Sequence, residues 1–222
     1  MTRAKGLLLS AALMLAVATP AFAATNLGFA SGDYSGWTVS DPSLIEVTAG
    51  PTHNGVTPMD DLFFASLAGG AMDVYTTLSR TIHLNAGDQL SGWVGFNAND
   101  IYVPVGDPDF PAGLDDSAYL TLNGDTLFQS DVATVGDGAF GGWTAFSYTA
   151  SADGDFLLEL GSANHGDGEV ASYAVLDDVT LTPAAVTGGT VPEPTTWAMM
   201  IGGLAAIGMT LRTRRQASVF AG

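Results

Sequence analysis

Nineteen aspartates, four glutamates, three histidines and no cysteine form the reactive inventory of this chain. Their spacing decides which chemistry is open to them. His53, His83 and His165 stand alone, and no two have the separation of zinc ligands. Serine is plentiful, but no Gly-x-Ser-x-Gly turn presents one as a nucleophile. Two carboxylates can always be paired on paper for glycoside hydrolysis in so acidic a chain, so their number carries no weight. The body therefore reads as non-enzymatic. Calcium is the better chemical prospect, because it takes several carboxylate and carbonyl oxygens at once. Asp107, Asp109, Asp115 and Asp116 crowd the stretch Ala98 to Ser117, which also holds three prolines. They are candidates for a structural calcium site, although the order of acids and glycine in an EF-hand is absent. The same stretch read without an ion is a solvated acidic loop. Tyr102 and Phe110, in that loop, are candidate stacking platforms for a sugar. Trp37, Trp93 and Trp143 each follow a glycine at a strand position and read as core.

The elements that must carry these residues are short strands. Glycine is frequent, and runs of β-rich or alternating character recur between Gly, Asp, Asn and Pro. Strands are predicted near Trp37–Val39, Leu44–Thr48, Leu62–Leu67, Val74–Leu84, Gln89–Asn97, Ala118–Asn123, Thr126–Gln129, Gly142–Thr149, Asp155–Leu160 and Ala171–Thr182. Leu78, Arg80, Ile82 and Leu84 share one face of their strand, and Asn123-Gly124-Asp125 marks a hairpin. Asp178 should face away from Asp177. Many short strands at this spacing predict an all-β, antiparallel sandwich, with Ala98 to Ser117 as a surface insertion.

The ends differ in kind from the middle. Arg3 and Lys5 precede an apolar run from Gly6 to Ala18, and Ala21-Phe22-Ala23 forms a small-x-small cleavage site, the pattern of a signal peptide over residues 1–23. Between Ala24 and Val191 a single basic residue, Arg80, faces 22 acids, a formal charge of −21. Such a body repels nucleic acid and anionic membrane surfaces. Residues 184–191 read as a flexible linker. Thr195 to Leu211 is 17 residues long and uncharged, and Arg212, Arg214 and Arg215 follow it. As a helix that run is about 25 Å long, enough for a short transmembrane span with its arginines on the cytoplasmic side. Pro192 and Pro194 keep a helix from extending upstream.

The tail, Pro192-Glu193-Pro194, then Trp197-Ala198-Met199-Met200, an apolar run and Arg212, Arg214 and Arg215, resembles the PEP-CTERM sorting signal in its Trp-Ala-Met-Met variant. The resemblance implies a Gram-negative host, often a maker of exopolysaccharide or biofilm, and processing by an exosortase, a membrane-embedded transpeptidase. The precursor would leave by Sec-type export, sit transiently in the inner membrane, and end at the cell surface or in the extracellular matrix. The body is similar to jelly-roll domains of the galactose-binding-like fold. Asn26-Leu27-Gly28-Phe29 looks like their first strand, and Ser172-Tyr173-Ala174-Val175-Leu176-Asp177-Asp178-Val179 looks like their last. In many carbohydrate-binding modules of that frame an acid near each end holds a calcium. Here Ala30 stands in place of the first acid and Asp177 keeps the second. The expected organisation is a signal peptide (1–23), a jelly-roll ectodomain (24–183), a linker (184–191) and a sorting signal (192–215) with a transmembrane helix (195–211). The expected role is a non-enzymatic surface or matrix protein associated with exopolysaccharide. A carbohydrate-binding module is the alternative, and a glycan-active enzyme the third reading.

Overall fold

A computed structural model describes residues 27–59, 62–185, 197–205 and 207. Ten strands follow in chain order: β1 (Thr38–Val39), β2 (Ile45–Thr48), β3 (Phe64–Ala68), β4 (Thr76–Leu84), β5 (Gln89–Asn97), β6 (Ser117–Leu122), β7 (Asp125–Asp131), β8 (Thr144–Thr149), β9 (Gly154–Ala163) and β10 (Tyr173–Thr182). A single turn of helix, α1 (Val132–Val135), follows β7. The strands form two five-stranded antiparallel sheets, in the orders β1-β4-β9-β6-β7 and β2-β3-β10-β5-β8. All ten predicted strands are present, with ends shifted by a few residues.

Alternation puts the core between the sheets. Leu78, Ile82 and Leu84 of β4, Leu158 and Leu160 of β9, and Leu120 and Leu122 of β6 line one wall. Ala65 and Leu67 of β3, Leu90, Val94 and Phe96 of β5, and Ala174 and Leu176 of β10 line the other. Arg80 shares the phase of Leu78 and Ile82 but is half-buried, its guanidinium lying against Gly36. A smaller cluster of Val56, Phe64 and Val175, joined by Phe140 and Trp143, lies under residues 52–57. Trp143 donates from Nε1 to the Thr57 carbonyl at 3.1 Å. Trp37 is in the main core, stacked on Phe29 at 5.3 Å, and Trp93 is half-buried.

Two glycines are dictated by geometry. Asn123 and Gly124 both have positive φ (51° and 86°), as a two-residue hairpin turn between antiparallel strands requires. Gly161 of β9 lies directly under the Tyr119 ring, where a side chain would collide with it.

Two expectations are corrected. Leu27–Phe29 is not a strand: Phe29 has a φ of 63°, which breaks extension, and the segment is instead packed into the core by Leu27 and Phe29. Asp177 accepts from the Met59 N–H at 2.7 Å and so holds the loop before β3. The simple alternation expected at Asp177 and Asp178 is broken by a bulge, where Asp178 has a φ of 46° and three residue steps of β10 oppose two of β5.

The expected tail and signal fall mostly outside the described residues. These include Ala21, Ala23, Pro192, Glu193, Pro194, Arg212, Arg214 and Arg215. Residues 197–205 are helical, with the Trp197, Ala198, Met199 and Met200 side chains exposed. Among the described residues no helix is long and apolar enough to cross a membrane. Of the 195–211 span, residues 195, 196, 206 and 208–211 lie outside them. Ala184, the first linker residue, donates its N–H to the buried Asp88 at 2.7 Å.

Leu160 is fully buried between β4 and β6, paired with Leu78 and Leu120. Truncation to alanine leaves a cavity that a close-packed sandwich cannot collapse into. Leu160→Ala should cost about 2–5 kcal/mol in denaturant unfolding of the protein.

Candidate functional site

The site forms where β4 begins, β6 begins and β9 ends. The ladder sets these side by side, pairing Thr76 with Ser162 and Ser117 with Ala163. The loop before β4 delivers Asp73 and Tyr75, and the loop after β9 delivers His165. A backbone bond from the Asp73 N–H to the Asn164 carbonyl, at 2.8 Å, joins the two loops.

His165 then bridges two side chains remote in sequence. Its Nδ1 is 3.0 Å from Asp73 Oδ1, and its Nε2 is 3.0 Å from Ser117 Oγ. The Tyr75 hydroxyl is 2.8 Å from the same Ser117 Oγ. One arrangement of protons satisfies every contact: Tyr75 O–H donates to Ser117, Ser117 O–H donates to Nε2, and Nδ1–H donates to Asp73. The Tyr75 ring meets both the Tyr119 and His165 rings edge-on, at 4.8 and 5.9 Å. Tyr119 in turn lies over Gly161 and donates its hydroxyl to Glu159 at 2.7 Å. Burial, and then the Glu159 acceptor, push the Tyr119 phenol well above its usual range.

Asp116, next to Ser117, fixes this geometry from within. It is fully buried, and it accepts from the backbone N–H of His165 at 2.8 Å and of Ser172 at 3.0 Å. Burial raises its carboxyl above the ordinary value, opposed by those hydrogen bonds. Asp100 is buried nearby, with the Ile101 N–H on Oδ1 and no hydrogen-bond partner on Oδ2. Burial raises its carboxyl too, and Asp116, Asp167 and Asp137 add to the effect.

A cavity of about 360 Å³ opens beside His165 and Asp73, walled by Tyr102, Val103, Val105 and Leu114. The acidic insertion forms this wall. A two-way backbone pair between Val103 and Leu114, both bonds 2.9 Å, closes its loop. Tyr102 is pinned through its N–H to Asp137 at 2.8 Å. The candidate platform Tyr102 is therefore at the cavity, whereas Phe110 is at the loop tip and is not part of its wall.

The aspartates expected to share a calcium ion are dispersed. Asp107 accepts from the N–H of Asp109 and of Phe110 and so builds its own turn. Asp109 is exposed. Asp115 accepts from the Ala133 N–H at the start of α1, and Asp116 turns inward. Asp177 accepts from the N–H groups of Met59 and Asp178. Proximity in sequence was not convergence, because Asp107, Asp115, Asp116 and Asp177 each meet a different backbone N–H and Asp109 faces solvent. Among the described residues no three His, Asp or Glu side chains are placed to hold a metal ion. The sequence reading missed Asp73, Tyr75, Ser117, His165, Tyr119 and Glu159. Ser117 and His165 are 48 positions apart and His165 and Asp73 are 92 apart, so no local motif could reveal them.

Comparison with known proteins separates tail from body. Residues 190–215 match the PEP-CTERM protein-sorting motif. The chain therefore carries that sorting signal, at the place where the Pro-Glu-Pro, the apolar run and the arginines suggested it. No curated protein matches the sequence. Among solved structures, TmCBM61 in complex with beta-1,4-galactotriose is similar at 18% identity and a TM-score of 0.41, over 71% of this chain and 95% of that one. The CBM22-1 xylan-binding domain from Paenibacillus barcinonensis Xyn10C is similar at 20% identity and a TM-score of 0.34, over 71% and 93%. A cyclase from Fischerella sp. TAU is similar at 18% identity and a TM-score of 0.40, over 72% and 96%. At such levels the ligands of those proteins say nothing of this one's.

The raised carboxyl of Asp100 yields a prediction. The folded state holds its proton to higher pH than the unfolded state, so stability falls as pH rises from the ordinary carboxylate value through the folded one. Above that window the buried charge is a full penalty. Asp100→Asn removes it, so the variant should melt higher than the parent at pH 7, with the gap narrowing towards pH 4.

Proposed function

We propose that the chain is an exported surface or matrix protein, released from an inner-membrane precursor by an exosortase, whose sandwich binds a polysaccharide. The observation that carries the first part is the sorting motif at residues 190–215. A processing enzyme needs accessible backbone next to the membrane, and Pro192 and Pro194 supply a segment that cannot continue the helix that follows. Signal peptide (1–23), ectodomain (24–183), linker (184–191) and sorting signal (192–215) are the parts this reading assigns. Export is Sec-type, the inner membrane is a transient station, and the host is Gram-negative with an exopolysaccharide matrix.

The cleft supports the second part. An aromatic ring, Tyr102, stands with His165, Asp73 and Asp115 around an open cavity. Rings and hydrogen-bonding side chains at one mouth are the chemistry that grips a sugar, one giving a stacking face and the others meeting hydroxyls. The strands cross repeatedly between two sheets, which supports a jelly-roll of galactose-binding-like type. The acidic body favours a neutral or cationic glycan over a polyanion.

Two measurements check these parts separately. Mass spectrometry of the mature protein from its host should show loss of the residues after Pro194 or close to it; a C-terminus at Gly222 rules out processing. In affinity electrophoresis on neutral host polysaccharides, the protein should be retarded and Tyr102→Ala should lose most of the retardation, about 1–2 kcal/mol for a lost aromatic contact. Equal mobility of the two on every polysaccharide removes the binding role.

A further inference from the structure

We propose that Ser117, His165 and Asp73 form a nucleophilic relay for acyl transfer, and that the cavity lined by His165 and Asp73 takes the acyl group of a neutral ester. The assignment of a glycan as the alcohol carrying that ester rests on the binding reading above; the relay itself does not.

The relay has the order of parts that activates a serine. A hydroxyl is a weak nucleophile until a base within hydrogen-bond reach takes its proton, and that base must be held in the right tautomer by a third group. Ser117 Oγ to His165 Nε2 is 3.0 Å, and His165 Nδ1 to Asp73 Oδ1 is 3.0 Å. The imidazole is restrained at its backbone as well, because Asp116 accepts from the His165 N–H. A bare structural clamp would need only one of the two ring contacts. With a neutral imidazole and an ionised Asp73 the contacts fit a proton path from Ser117 Oγ to Nε2, with Nδ1–H on Asp73, and the Tyr75 hydroxyl lies 2.8 Å from Ser117 Oγ.

In the reaction, Ser117 Oγ bonds to the carbonyl carbon of the ester while its proton passes to His165 Nε2. The carbonyl electron pair moves onto oxygen, within reach of the Tyr75 O–H as a hydrogen-bond donor. Collapse breaks the bond to the alcohol, which leaves with the proton from His165. Water then gives a proton to His165 and attacks the acyl-Ser117, and the serine is restored as the carboxylic acid departs. Water is the only co-reactant. Ser117, His165 and Tyr75 are catalytic residues in this scheme, and Asp73 is a positioning residue.

The surroundings choose the substrate class. Val103, Val105 and Leu114 make an apolar wall next to His165, suited to a short acyl chain. Asp73 and Asp115 line the same cavity, and Asp116 lies behind it, so an anionic substrate is repelled.

The experiment uses the full-length protein with p-nitrophenyl acetate and a fluorophosphonate probe. The expected result is turnover at least about 100-fold above that of Ser117→Ala, the scale of a positioned base and nucleophile, and a probe adduct mapped by mass spectrometry to Ser117. His165→Asn should lose both. Asp73→Asn should keep slower labelling and change the pH profile of kcat/KM, which a merely structural contact would not do. Absence of an adduct on Ser117 in the unmodified protein overturns the proposal, whatever the variants do to folding. Equal turnover by Ser117→Ala with an unchanged thermal midpoint overturns it too. Ester turnover through Ser117 without retention on any polysaccharide supports the relay and removes only the glycan as carrier.

Discussion

The buried carboxylate of Asp116 is the constraint on which the rest of the site depends. It sits at the last position before β6, inside the sandwich, with both oxygens engaged by backbone N–H groups from opposite ends of the connection between β9 and β10. Taking a charged group out of water is costly unless its lone pairs are met. Here meeting them closes a loop of the chain. His165 then has nowhere to be except over Ser117, the very next residue after the acid. One side chain thus fixes the spacing of two others without touching a substrate.

The same logic explains how a body with so few cations remains folded. Most of its aspartates answer backbone donors rather than basic side chains. Asp41 caps a short turn, Asp88 closes another, Asp131 starts α1, Asp167 holds an N–H of its own loop, and Asp153 reaches across to the Ala86 N–H in the turn between β4 and β5. An N–H group is a small, fixed, partly positive partner, and it keeps its position when salt rises. Repulsion is left to the exposed carboxylates, where water screens it. Asp100 differs in being buried with one oxygen, Oδ2, that has no hydrogen-bond partner.

How much of this was legible beforehand follows from what each feature depends on. Strands were legible because alternation is local: Leu78 to Leu84 and Gln89 to Asn97 announce a buried face within nine residues. The Asn123-Gly124 turn was legible because only a few residues accept positive φ at both positions. The tail was legible because a sorting signal is read by its receptor as a linear string. The cleft was half legible: Tyr102 was singled out as an aromatic in a loop, and it lies at the cavity. The partners of Ser117 were not legible, because they depend on which strands become neighbours. The converse holds for Asp107, Asp109, Asp115 and Asp116, which are close along the chain while Asp107, Asp115 and Asp116 each meet a different backbone N–H.

The bond between Ala184 and Asp88 has a consequence for orientation. Asp88 follows the far end of β4, whereas Asp73 and Tyr75 precede its near end. β10 repeats the relation, beginning beside Ser172 and finishing two residues before Ala184. A strand of nine or ten residues spans about 30 Å. The chain therefore leaves the sandwich at one pole and carries its reactive groups at the other. Whatever follows Ala184 starts at the opposite pole from the cleft at His165, about one strand length away.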